Sequence, residues 1–181
     1  MEAPRIEAGE IALRGWRDDD VPAIVDACQD PELSRWLPMM PYPYSEQDAR
    51  EYVARTNETW AAGAGCTFAV VDAATGDLLG SIGMRLEMFH SATIGYWVRR
   101  EARGRGVARR ALVAASRWSF DELGLKRMQL LTDPENEISQ RVAERAGYTR
   151  EAVLRSHLEY QDGRRSDSIM FSLLPGELES S

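Results

Sequence analysis

The stretch Ile94-Gly-Tyr-Trp-Val-Arg-Arg-Glu-Ala-Arg-Gly-Arg-Gly-Val-Ala108 constrains this chain more than any other. An apolar segment that reads as a strand runs into a loop interrupted by two glycines, and the loop opens directly into a helix. Glycine permits positive φ and close approach of another group to the backbone. The first amides of a helix lack intrahelical partners and sit at the positive end of its dipole. Strand, glycine loop and helix N-terminus in that order outline a cradle for a diphosphate. The loop has neither the Gly-x-x-x-x-Gly-Lys pattern of nucleotide triphosphatases nor the Gly-x-Gly-x-x-Gly of dinucleotide folds, so neither an ATPase nor a dehydrogenase is favoured.

Charge sharpens this reading. Within Arg99–Arg110 there are six arginines and one glutamate, a local charge of +5 in a chain whose net charge is −7. The acidic total disfavours whole-surface attraction to nucleic acid or an anionic membrane, while the local cluster suits a small anion. Arginine itself discriminates little, because Lys126 is the only lysine.

The rest of the chain reads as alternating short elements. Ile11–Arg14 is a strand, and Asp18–Asp20 supply capping carboxylates for a helix near Val21–Cys28. Ser45-Glu-Gln-Asp48 has the character of a capping box and starts a helix that ends near Gly63. Thr67–Val71 and Leu78–Leu86 are strands joined by an Ala-Thr-Gly-Asp turn, and Ala92–Val98 is the next strand. Ala108, Ala111, Leu112, Ala115 and Trp118 mark one face of a helix over Val107–Leu123, stopped by Gly124. Met128–Thr132 is a buried strand, Glu137–Ala146 a helix closed by Gly147, and Tyr148–Leu158 with Ser168–Leu174 a final strand pair. The pattern predicts a mixed α/β fold in a single domain over 1–181, with short tails at 1–8 and 176–181.

Arg103-Gly-Arg-Gly106-Val-Ala108 matches the Arg-x-x-Gly-x-Ala form of the acyl-CoA signature of the GNAT superfamily of N-acetyltransferases. Ala92–Val98, Leu123-Gly-Leu, Asn136-Glu-Ile-Ser139, Arg145-Ala-Gly-Tyr148, Leu154-Arg with Asp167, and the opening Leu13-Arg-Gly-Trp-Arg-Asp-Asp-Asp resemble the RimJ/RimL branch, named for enzymes that acetylate the N-termini of ribosomal proteins. The resemblance covers nearly the whole chain. It implies a twisted, mostly antiparallel seven-stranded sheet flanked by helices and split between its fourth and fifth strands, where the pantetheine arm of acetyl-CoA enters. Val98, Arg103, Gly104, Arg105, Gly106, Val107, Ala108, Arg109 and Asn136 are then the cofactor-binding residues. The donor is acetyl-CoA, and the acceptor is a small-molecule amine or a protein N-terminus, attacking directly in a ternary complex. Homodimers are common in the family.

The chemistry needs a base, because an amine with a pKa of roughly 10 is mostly protonated at neutral pH. It also needs a donor for the departing thiolate. Many GNAT enzymes carry a tyrosine four residues before the Gly-aromatic pair, where this chain has Ala143. Ser139 is the replacement that the resemblance implies. The fourth strand holds no carboxylate, and the base candidates are Glu159 and His157 on the sixth strand, ranked together ahead of Glu87 and His90 because the resemblance implies a water-holding acidic residue on the sixth strand. A CoA-binding sensor without turnover and a non-acetyl donor such as succinyl-CoA are the alternatives.

Trp36-Leu-Pro-Met-Met-Pro-Tyr-Pro-Tyr44 forms a semi-rigid apolar loop, read either as a layer over the core or as one wall of the acceptor pocket. Cys28 and Cys66 have no disulfide or zinc spacing, the two histidines have no metal-ligand spacing, and no metal is expected. No apolar run is long enough to span a bilayer, and the N-terminus lacks the pattern of a signal peptide, which places the chain in the cytoplasm.

Overall fold

The computed structural model describes residues 3–160 and 162–178. Its centre is an eight-stranded sheet in the order β1-β2-β3-β4-β5-β6-β8-β7. The strands are β1 (Ile6–Ala8), β2 (Ile11–Arg14), β3 (Gly65–Asp72), β4 (Leu78–Glu87), β5 (Ser91–Val98), β6 (Arg127–Thr132), β7 (Thr149–Glu159) and β8 (Arg165–Leu173). Every neighbouring pair is antiparallel except β5 and β6.

The sheet has one strand more than the seven expected. The extra one, β1, lies in the segment read as an N-terminal tail and pairs with β2 through the turn at Gly9 and Glu10. Gly9 takes φ +70°, a conformation glycine adopts without steric cost. Three residues are too few for alternation to register as a strand. At the other end, Leu178 packs on the core, and 179–181 lie outside the described residues. The family's fourth and fifth strands are therefore β5 and β6 here.

The helices are α1 (Val21–Cys28), α2 (Pro31–Trp36), α3 (Glu46–Ala61), α4 (Val107–Glu122) and α5 (Glu137–Arg145). Their apolar residues fill both faces of the sheet. In β3, Cys66, Phe68 and Val70 point into one core with Ala111, Leu112 and Ala115 of α4, while Ala69 and Val71 point into a second with Ile24 of α1 and Val53 of α3. A strand buried on both sides reads as a continuous apolar run, as β3 does. α3 begins at the expected capping box, with Ser45 Oγ accepting the Asp48 amide at 3.1 Å and Asp48 accepting the Ser45 amide at 2.8 Å. The short helix α2 was not anticipated. Its cap is Asp30, whose carboxylate accepts the Glu32 amide at 3.1 Å.

Asp18–Asp20 do not cap α1 as expected. They form a 3-10 turn, and the Asp20 carboxylate reaches back to Arg14 at 2.7 and 2.8 Å and to the Arg17 amide at 2.9 Å. Both side chains of the Arg14–Asp20 pair are at most 10% exposed. A buried charge that loses its partner costs about 3–5 kcal/mol. Asp20→Ala is accordingly expected to lower unfolding free energy by that amount in urea titration, with little change in the dependence on denaturant.

Farther along the sheet, Glu151 of β7 accepts hydrogen bonds from Arg127 of β6 at 3.0 Å and from Ser172 of β8 at 2.6 Å, tying three strands together. The Arg127 guanidinium, then Ser172, pull the Glu151 carboxyl from 4.5 down to about 2. A depressed carboxylate pKa gives stability that is complete above the unfolded value and is lost as pH falls through the folded one. The gap in unfolding midpoint between the native chain and Glu151→Gln should therefore be full above about pH 4.5 and close by about pH 2, read by circular dichroism across that range.

Candidate active site

β5 and β6 pair as parallel strands over four residues, Ser91 with Arg127 through Ile94 with Leu130, and then part. β5 continues to Val98 against β4 alone, and β6 to Thr132 against β8. The Arg99 amide donates to Leu79 O at 2.8 Å, so in the antiparallel alternation Trp97 and Gly95 also turn their backbone groups toward β4. Those of Tyr96 and Val98 face the gap. A cleft of about 690 Å³ fills it, with Tyr96 and Val98 on one wall, Asn136 and Ser139 on the other, and Gly104, Gly106 and Val107 at its mouth.

The mouth is built as the sequence suggests. After a 3-10 turn at Arg100–Ala102, Gly104 and Gly106 take φ of +76° and +74°, and α4 follows at once. The first intrahelical bond runs from the Arg110 amide to Gly106 O at 3.1 Å, which leaves the amides of Val107, Ala108 and Arg109 without intrahelical partners. Such a cluster of donors at the positive end of a sixteen-residue helix suits phosphate oxygens.

The arginines behave differently from the +5 cluster in the sequence. Arg103 points inward, with Nε on Val98 O at 3.2 Å, Nη1 on Glu32 at 2.7 Å and Nη2 on Asp30 at 2.6 Å. Burial works to raise the Asp30 pKa, but the Glu32 amide and the Arg103 guanidinium hold it below the usual carboxylate value. Arg99 meets Asp26 at 2.5 Å, Arg105 lies 3.7 Å from Asp72, and Arg110 lies 3.2 Å from Glu10. Arg109 lines the cleft while its Nε holds the last carbonyl of α5, Arg145 O, at 2.7 Å. Folding thus sets five carboxylates among the arginines, while the amides of Val107, Ala108 and Arg109 stay without intrahelical partners at the mouth.

On the second wall, Asn136 caps α5, its Oδ1 accepting the Ser139 amide at 3.0 Å. Ser139 Oγ accepts a hydrogen bond from the Tyr96 hydroxyl at 3.1 Å, across the gap. Asp133, only 5% exposed, also lines the cleft. Burial works to raise its pKa, yet hydrogen bonds from the Glu135 amide, Ser166 and the Tyr160 hydroxyl, with the Arg164 charge, hold it below the ordinary carboxylate value. It is an ionised group with most of its acceptor sites filled.

The structure does not bring the four base candidates into the cleft. Leu158 lines it, but its neighbours His157 and Glu159 do not; His157 Nδ1 lies 2.9 Å from Ser168 Oγ, and Glu159 accepts from Arg165 at 2.5 Å. Glu87 and His90 sit at the β4–β5 turn, where Glu87 accepts from Thr93 at 2.6 Å, at the end of β5 away from the gap. The apolar loop divides. Trp36, Leu37 and Pro38 form a wall of the cleft, whereas Tyr44 is buried in the core beside α1 and α3. Tyr96 and Asp133 were not singled out from the sequence. The signal for Tyr96 was present, since a residue two before Val98 on the same strand shares its orientation.

Comparison with known proteins places this geometry. The family profile described as Acetyltransferase (GNAT) domain matches residues 10–149. The chain is 27% identical over 169 residues to the uncharacterized N-acetyltransferase p20 of Bacillus licheniformis, covering 92% of this chain and 94% of that protein. Its fold superposes on Mycobacterium smegmatis RimJ in complex with CoA-disulfide with a TM-score of 0.88 at 25% identity, covering 99% of this chain and 90% of that one. A structure from Vibrio cholerae assigned as a ribosomal-protein-serine acetyltransferase gives a TM-score of 0.83 at 27% identity, covering 97% and 100%. A matched profile across most of the chain, with the glycine loop and the parted strands where that fold requires them, leads to one conclusion: the chain belongs to the GNAT acetyltransferase family.

Proposed function

We propose that this protein transfers an acetyl group from acetyl-CoA to a primary amine by direct attack, and that the amine is the N-terminus of a protein. The observation that carries the reading is the gap between β5 and β6, whose exposed backbone leads straight to the unpaired amides of α4. A pantetheine arm has amide groups that can pair with the Tyr96 and Val98 backbone as an added strand does, and its pyrophosphate fits the donors of Val107, Ala108 and Arg109. Bound there, acetyl-CoA supplies an activated thioester.

The chain's own groups do the rest. β5 and the wall at Trp36, Leu37 and Pro38 hold acceptor and donor together, which removes the entropic cost of a bimolecular encounter. Ser139 is the hydroxyl available to the leaving sulfur. With His157 and Glu159 outside the cleft, the amine's proton leaves through water rather than to a side chain in contact with it. A covalent route through cysteine is disfavoured, because burial pushes Cys66 up to about 11 and Cys28 up to about 12, which suppresses the thiolate. The ionised Asp133 on the wall that precedes α5 favours acetyl over a succinyl chain, whose carboxylate it would repel.

An apolar acceptor wall suits a peptide better than a polycation, and the assignment of the Vibrio cholerae relative as a ribosomal-protein-serine acetyltransferase agrees with a ribosomal-protein acceptor. Two experiments test the proposal. Isothermal calorimetry should show binding of acetyl-CoA and CoA that weakens about tenfold in an Arg105→Ala/Arg109→Ala double variant, the loss of roughly one charge-assisted hydrogen bond. No binding by folded protein would sink the reading. Thiol release from acetyl-CoA should be stimulated by peptides with a free N-terminal serine or alanine and not by their N-blocked forms; stimulation only by lysine side chains or small amines would move the acceptor to another class.

A further inference from the structure

Resting on that cofactor reading, the hydrogen bond that crosses the cleft acquires a specific task. Tyr96 projects from β5 and Ser139 from α5, so their side chains meet from opposite walls of the space that leads between the parted strands. The Tyr96 hydroxyl donates to Ser139 Oγ at 3.1 Å. Among the described residues this is the single hydrogen bond of that oxygen: unlike Thr56 and Ser119, whose hydroxyls donate to a carbonyl one turn back, Ser139 Oγ makes no bond to its own helix.

A serine oxygen that accepts from a phenol cannot direct its own hydrogen back along the same line. The Ser139 O–H is therefore turned away from Tyr96, and the open direction is the cleft. Accepting a hydrogen bond also polarises the hydroxyl and makes it a stronger donor. We propose that Tyr96 is a positioning residue for acyl transfer: by donating to Ser139 Oγ it aims and strengthens the serine hydroxyl as a hydrogen-bond donor to the departing sulfur of coenzyme A.

The balance of the step is simple. The amine nitrogen forms the bond to the acyl carbon, the carbon–sulfur bond breaks, and the sulfur keeps its electron pair as a thiolate that accepts the Ser139 O–H. The amine's proton passes to water, and the thiolate takes its proton from water after release. Tyr96 loses nothing. Burial keeps its hydroxyl above the ordinary tyrosine value, against the opposing effect of Ser139, so it remains a donor throughout the neutral range.

The test uses bound CoA rather than turnover alone. Ultraviolet absorbance of the thiolate, followed in a pH titration of the CoA complex, gives the acidity of the bound thiol in the native chain, Tyr96→Phe, Ser139→Ala and the double variant. The expected result is a bound-thiol pKa about one unit higher in each single variant, a tenfold loss of thiolate at fixed pH, with the double variant no different from Ser139→Ala. CoA affinity by calorimetry should stay within about twofold, and kcat with an active peptide should fall about fivefold to tenfold in Tyr96→Phe, the worth of one neutral hydrogen bond. An unchanged thiol pKa in Tyr96→Phe, or an additional shift of equal size in the Ser139→Ala background, would overturn the proposal while leaving the cofactor reading intact. A lower melting temperature and weaker CoA binding in Tyr96→Phe with no change in thiol acidity would reduce the contact to a strut between the walls, which also overturns it. Absence of CoA binding in the native chain would remove the cofactor reading first, and this proposal with it.

Discussion

Two parallel strands that separate after four paired residues create the conditions on which this site depends. β5 and β6 part at Ile94 and Leu130, but neither is left without support, because β4 runs along the full outer side of β5 and β8 along that of β6. The parting therefore sacrifices only the hydrogen bonds of one inner edge. Backbone groups withdrawn from a ladder must find water or a ligand, since leaving them buried and unpaired costs more than a net hydrogen bond is worth. The edge at Tyr96 and Val98 thus offers backbone groups outside the ladder by virtue of topology, one of which, Val98 O, is met by Arg103 Nε at 3.2 Å.

The charges around the mouth follow from the same geometry. An uncompensated group of six arginines would repel itself, and the fold answers by bringing Asp26, Asp30, Glu32, Asp72 and Glu10 to it from distant parts of the chain. Arg103 bonds two carboxylates and a carbonyl at once. One guanidinium joins the end of β5 to the cap and first turn of α2, and α2 ends at Trp36, where the apolar wall of the cleft begins. The loop that would receive the donor and the wall that would receive the acceptor are therefore set by a common strut. Arginine suits this work because its planar fork can meet two carboxylates and a carbonyl at once.

How much of this was legible in the sequence depends on whether a feature is local. The glycine loop, the capping box at Ser45 and the face of α4 were legible because each is decided by residues within a turn or two of one another. β1 escaped because three residues carry no period, and α2 because its six residues are too few to show one, although Asp30 as cap and Pro31 in the first turn are a local start signal. Asp20 was misread for a different reason: its carboxylate turns back to Arg14, six residues earlier, and to the Arg17 amide, rather than forward to the helix it precedes. The catalytic candidates on β7 show the sharpest limit. In a pleated strand adjacent residues point to opposite faces, and Leu158 takes the cleft side that would have been needed by His157 or Glu159.

The helix position four residues before Gly147 holds an alanine packed into the core rather than a tyrosine. Ala143 is fully buried, and the core around it is already filled by Tyr148, whose hydroxyl is 2.7 Å from Ser116 Oγ. A second ring at that place would have to displace neighbouring core side chains. The opposite wall has the room that α5 lacks, because the strands part there, and a tyrosine on β5 can extend across the cleft without displacing core side chains. Its hydroxyl meets Ser139 on the first turn of α5, so a phenol from the strand and a small hydroxyl from the helix together span the cleft.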